Sequence, residues 1–174
     1  PVTTNDGYYA TTAIANHAID FLADHHAHHK TDPFFLYLAF NAPHFPLMAP
    51  ADEIAKFRGK YKIGWDKLRE QRHARQIELG IVDKAWPLSP RPPEVKAWEQ
   101  ITPEEQDRFD HIMAIYAACV EHMDRSVGRL VAALKERGVF DNTLLLFLTV
   151  MFEGIDANPD NGGSKLKPGN TKHT

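Results

Sequence analysis

Cysteine is almost missing from this chain: Cys119 is the only one in 174 residues. That excludes an internal disulfide and any cysteine-rich zinc site. A surplus of positive charge is missing too, since 20 Lys and Arg stand against 23 Asp and Glu for a formal charge of -3. Such a balance gives no reason to expect nucleic acid or an anionic membrane as a partner. No run approaches the roughly 18 consecutive apolar residues that a membrane span needs. The opening PVTTNDGYYATT also lacks the basic, apolar and small-residue succession of a signal peptide, so a mature protein or an internal fragment is expected. What is present, 43% hydrophobic and 25% charged residues, is the composition of an ordinary soluble globular protein. The length suits one sizeable domain or a large piece of one.

Three stretches carry helical signals. Residues Thr11 to Ala27 place Ile14, Ala18, Ile19 and Leu22 at helical spacing and end in the histidine cluster His25, His26, His28 and His29. Histidines three or four apart can bind a metal, but a solvated helix end is the plainer account of this cluster. Gly64 to Gly80 reads as a charged surface helix with Trp65, Leu68, Ile77 and Leu79 on its apolar side, and WPLSPRPPEV from Trp86 is too rich in proline for regular structure. Thr102 opens the clearest helix, with Pro103 in the first turn and Glu105 placed to close a capping box. Its apolar positions run from Phe109 to Leu134, and Gly138 ends it. Cys119 lies within this pattern as a small buried thiol, and Asp124 lies beside the apolar face as a carboxylate in need of a hydrogen-bond partner.

Two apolar runs, Phe34 to Phe40 and Thr143 to Val150, read as buried strands. With the intervening crossover and helix they predict an α/β fold with a parallel sheet, built on a right-handed βαβ-type unit. The first run leads directly into NAPHFPLMAP, where Pro43 and Pro46 flank His44 and stiffen its loop. In open α/β sheets the carboxyl ends of strands are where ligands bind. His44 there suits a general acid, a metal ligand or a donor to an anion, and equally a histidine that merely bonds a nearby carbonyl. Downstream, Asp160 and Asn161 precede Gly162 and Gly163. That pair offers two hard oxygen ligands for Ca²⁺ or Mg²⁺, and it is also an ordinary turn sequence.

FFLYLAFNAPHFPLMAP, YKIGWDKLREQRHARQIELGI, YAACVEHMDRSVGRLVAALKERGVFDNTLLLFL and the later DNGG together resemble the type I, formylglycine-dependent sulfatases of the alkaline phosphatase superfamily, in the arylsulfatase branch. The resemblance implies a parallel-sheet α/β/α segment of the alkaline-phosphatase-like fold. It also implies hydrolysis of a sulfate ester, on a small molecule or a sulfated glycan, in a site holding one divalent cation, usually Ca²⁺. By the same resemblance His44 contacts the sulfate or protonates the leaving oxygen, Asp160 and Asn161 ligate the metal, and Lys172 is the counterpart of a sulfate-binding lysine. A periplasmic or secreted location goes with the family.

The family's nucleophile motif, C/S-x-P/A-x-R, has no counterpart here: Cys119 is followed by Val120 and Glu121, and Ser89-Pro90-Arg91 has the wrong spacing. Residues 1–174 therefore read as a partial catalytic domain, without the nucleophile-bearing N-terminal part and without the C-terminal part. Such a piece is expected to be inactive alone and to have the remainder of its own domain as its partner. A phosphodiesterase or phosphonate hydrolase of the same superfamily, and a non-catalytic sulfatase-like module, are the alternatives.

Overall fold

The computed structural model describes residues 7–148. Intramolecular contacts divide the chain into one unit of residues 1–142 and a second of residues 143–174. Among the described residues the first unit holds four α-helices: α1 (Ala10–His28), α2 (Ala51–Ala55), α3 (Trp65–Glu78) and α4 (Pro103–Glu136).

α4 begins as its sequence dictates. Thr102 Oγ1 accepts from the Glu105 amide at 3.2 Å while Glu105 Oε2 accepts from the Thr102 amide at 2.8 Å, a reciprocal cap that satisfies two otherwise orphaned donors. At its far end Gly138 takes φ +69°, the left-handed conformation that lets the chain leave the helix and send the Val139 amide back to the Leu134 carbonyl. α1 packs against α4 with small residues at the contact. Thr11, Ala15, Ala18 and Leu22 of α1 are buried, as are Ala114, Ala118, Leu130, Ala133 and Leu134 of α4. Alanines at this spacing bring two backbones close, and leucines take over where the helices leave more room. The stripe actually buried on α4 is rotated from the one defined by its largest apolar residues, because Tyr116 and Val120 stay partly exposed while alanines go inside.

Asp110 is fully buried on α4 and organises the turn that follows α2. Its carboxylate accepts from Arg58 Nη1 at 2.6 Å and from the backbone amides of Gly59 at 2.9 Å and Tyr61 at 3.0 Å. A buried carboxylate with three donors is adequately paired. Beyond it, Trp98 packs edge-on against Trp65, which also meets Phe109, and this cluster binds the proline-rich segment to α3 and α4.

The two apolar runs depart from expectation. Among the described residues there is no strand: neither Phe34–Phe40 nor the described part of the second run, 143–148, forms a ladder. A strand is defined by a hydrogen-bonding neighbour, and no described segment lies alongside either run as one. The first run is also not buried on both faces. Phe34, Leu36 and Leu38 pack against the Ala18, Leu22, Leu130 and Leu134 core, whereas Phe35 is 91% exposed and Tyr37 79%. Its side chains alternate in burial with the period of two proper to an extended chain, but only one side has a cover. Thr149 and Val150 lie outside the described residues.

Candidate functional site

His44 sits at the exposed tip of the loop that joins Phe40 to α2. The peptide bonds preceding Pro43 and Pro46 are both cis. Within the loop the His44 amide donates to the Asn41 carbonyl at 2.9 Å, and the His44 ring nitrogen Nδ1 lies 2.6 Å from the Phe45 carbonyl. A carbonyl only accepts, so Nδ1 carries the proton in that contact.

The loop is tethered at both ends. Upstream, Phe34, Leu36 and Leu38 anchor the run that leads into it. Downstream, the Met48 carbonyl accepts from Tyr9 Oη at 2.9 Å and from Cys119 Sγ at 3.1 Å, a donor from the start of α1 and one from the middle of α4. Cys119 is thus a buried structural thiol, in keeping with its place in the helical pattern. Burial, more than any neighbour, pushes the Tyr9 phenol up to about 12, so it remains a donor throughout the neutral range.

Three residues beyond Met48 α2 begins, and it is fixed by a buried acid. Glu53 lies against His122 Nδ1 at 2.9 Å and pairs with Arg125, while His122 Nε2 lies 2.7 Å from Thr12 Oγ1. The tautomer with the proton on Nδ1 satisfies both contacts, donating to the carboxylate and accepting from the hydroxyl. The Tyr9 ring meets His122 edge to face at 4.6 Å, which joins this network to the Met48 tether.

Of the residues singled out from sequence, the described structure contains His44. Asp160, Asn161 and Lys172 lie outside the described residues. Asp124 is exposed rather than buried beside the α4 core, so solvent meets the need expected of a loop partner. In the histidine cluster ending α1, His25 and His26 are half-buried while His28 and His29 are exposed, His28 paired to Asp24 at 3.1 Å and His29 to Asp32 at 3.3 Å. Among the described residues no group of three or more His, Cys, Asp or Glu side chains converges as a metal site requires.

Tyr9, Glu53, His122 and Arg125, and the partner of Cys119, escape a sequence reading because the groups they meet are far away along the chain. The one local signal is the spacing of His122 and Arg125, which puts both on one helix face. A cleft of about 350 Å³ between α3 and the proline-rich segment spends its charges internally, Arg91 on Asp66 at 2.7 Å and Arg69 on Ser89 at 3.0 Å. It is a seam rather than a site.

The sulfatase family model matches residues 1–166. The chain belongs to the sulfatase family. Among relatives, an arylsulfatase of Klebsiella aerogenes is 39% identical over 161 residues, 92% of this chain and 33% of the relative. An uncharacterized sulfatase of Schizosaccharomyces pombe is 37% identical over 145 residues, covering 82% of this chain and 25% of its own length. An arylsulfatase of Clostridium perfringens is 26% identical over 152 residues. The chain thus spans about a third or less of the relatives it matches. Sulfatases act on sulfate esters and use a divalent metal. The described residues of this sulfatase chain do not assemble a ligand set for that ion. No described helix is long and apolar enough to cross a membrane.

Proposed function

We propose that this chain forms part of the catalytic domain of an arylsulfatase-type hydrolase that cleaves a sulfate ester, on a small molecule or a sulfated glycan. The observation that carries the reading is 39% identity to an arylsulfatase across 92% of the chain, a span that takes in His44 on its tethered loop. In this reading His44 is the catalytic residue that the chain contributes. With Nδ1–H committed to the Phe45 carbonyl, the acid is the imidazolium form of His44: its second proton, on Nε2, passes to the departing oxygen as the sulfur–oxygen bond breaks, leaving the neutral ring with its proton on Nδ1. Fixing that nitrogen before substrate arrives avoids reorganisation during the reaction.

Asp160 and Asn161 are proposed as two ligands of a Ca²⁺ ion, and Lys172 as a cation for the sulfate. Asp-Asn carbonyl and carboxylate oxygens are the hard donors such an ion prefers. When bound, the cation would neutralise charge on the sulfuryl oxygens. A formylglycine nucleophile and the other metal ligands would come from sequence outside residues 1–174, completing an alkaline-phosphatase-like α/β/α domain in which Phe34–Phe40 gains strand neighbours. A periplasmic or secreted location fits this reading.

The test compares the full-length protein with its His44→Ala variant on phenyl sulfate and on 4-nitrophenyl sulfate. Loss of a general acid should lower kcat by about 10²–10⁴-fold, and more for phenol, the poorer leaving group. Unchanged turnover of both esters overturns the role of His44. Full activity from residues 1–174 alone overturns the division of the site.

A further inference from the structure

Met48 follows His44 by four residues, and its side chain is 69% exposed, so packing of that side chain does little to hold the loop. Its carbonyl is held instead, by the Tyr9 hydroxyl at 2.9 Å and the Cys119 thiol at 3.1 Å. One donor, Tyr9, caps the start of α1 and the other lies within α4, and the packing of these two helices forms the core of the unit. Cys119 is 2% exposed and Tyr9 is wedged edge-on against His122, so neither donor is free to follow the loop if it shifts. A carbonyl with two fixed donors is restrained in direction as well as position. Beyond Met48 the chain has little slack: the Pro50 carbonyl accepts from the Glu53 and Ile54 amides at 3.1 and 3.0 Å, and Glu53 is itself bound to α4 through His122 and Arg125.

We propose that Tyr9 and Cys119 are positioning residues for His44: by donating together to the Met48 carbonyl they set the height and angle at which the loop presents its imidazole. The proposal rests on the reading of His44 as the acid that serves the leaving oxygen. Neither residue touches substrate in this account. They act through ten residues of loop, 41–50, whose upstream end is fixed by core packing and whose downstream end is fixed by these two hydrogen bonds. A displacement of the imidazole by about 1 Å is enough to cost on the order of 10²-fold in rate.

The experiment uses the full-length protein with Tyr9→Phe, Cys119→Val, the double variant, and Cys119→Ser, which keeps an O–H donor in place of S–H. Tyr9→Phe removes one oxygen and leaves the ring against His122, so the fold is retained, and circular dichroism confirms it for each variant. Turnover is read on phenyl sulfate and 4-nitrophenyl sulfate, with His44→Ala as the reference. The expected result is a fall in kcat of about tenfold or more for the double variant on phenyl sulfate, a clearly smaller fall on 4-nitrophenyl sulfate, and recovery in the protein carrying Cys119→Ser alone. Loss of folded enzyme would lower both esters by one factor. Equal falls on the two esters, or no fall, overturn the positioning role while the steep leaving-group effect of His44→Ala leaves the sulfatase reading standing. If His44→Ala itself shows no leaving-group effect, the acid role of His44 fails and the positioning role goes with it.

Discussion

Arg58 Nη1 stands 2.6 Å from the carboxylate of Asp110, a residue with no exposed surface, while Arg58 Nη2 reaches out to Asp107 at 2.8 Å near the surface. One guanidinium therefore spans the boundary between core and solvent. Asp110→Ala leaves that cation and the Gly59 and Tyr61 amides without their acceptor, and should cost about 3 kcal/mol. Chemical denaturation of the full-length protein checks it; Asp110→Asn, which keeps one acceptor oxygen, should cost less. Indistinguishable midpoints for Asp110→Ala and the parent would show that the pair holds nothing.

Gly64 has φ +86°, and a methyl group on its α-carbon would stand 2.3 Å from the Trp98 ring. Backbone conformation and steric contact act in the same direction. Gly64→Ala should destabilise the protein by about 2 kcal/mol or more, with a clear drop in thermal midpoint and altered tryptophan fluorescence. The clashing atoms are Cγ, Cδ1 and Cδ2 of Trp98, which phenylalanine also carries, so Trp98→Phe in the same background should restore little of the loss.

The Tyr9 phenol is raised from 10.0 to about 12 by burial, with smaller contributions from neighbouring groups. The folded state holds this proton more tightly than the unfolded state does. Its contribution to stability is therefore complete below pH 10 and is lost as pH rises from 10 toward 12. Tyr61 shifts in the same direction, by burial first and the nearby Asp110 second. Unfolding free energy should fall with pH across this interval, and Tyr9→Phe should flatten the slope without abolishing it. An unchanged slope in that variant would falsify the assignment.

Two acids, half-buried Asp66 and exposed Asp107, shift the opposite way. The Arg91 hydrogen bond holds Asp66 below its ordinary value of 3.8, and Lys62 together with Arg58 does the same for Asp107. Their contribution is present above the ordinary carboxylate value and is lost as pH falls below it. Asp66→Asn and Asp107→Asn should each shallow the acid limb of the stability curve, most visibly at low salt, because exposed pairs are screened.

Helices with a strong period or a cap were legible from residues alone. α4 is announced by Thr102, Pro103 and Glu105, and α1 by its repeating apolar positions, since both signals are local. α2 was not, because five residues show no period; the only cue was Asp52 and Glu53 following Pro50, acids suited to a helix start. The apolar runs at Phe34 and Thr143 carry the composition of strands, yet a ladder depends on a neighbour that lies elsewhere in the chain or beyond it. The site divides in the same way. His44 stands out by its motif, whereas the Met48 clamp is invisible, since a backbone carbonyl leaves no trace in sequence and its donors lie 39 and 71 positions away. Asp110 hid for a related reason: a lone acid amid an apolar pattern looks like a surface position until Arg58 is brought to it.

The one-sided packing of Phe34–Phe40 has a consequence for handling the molecule. A segment without ladder partners among the described residues, carrying the largely exposed Phe35 and Tyr37, is a template on which another copy of the same segment can add. If the chain is part of a larger domain, as proposed, the residues that finish it would act as a guard as well as a scaffold. When this chain is produced by itself, colloidal behaviour should depend on protein concentration long before any question of turnover arises, and a charged replacement at Tyr37 should disperse the particles that light scattering detects.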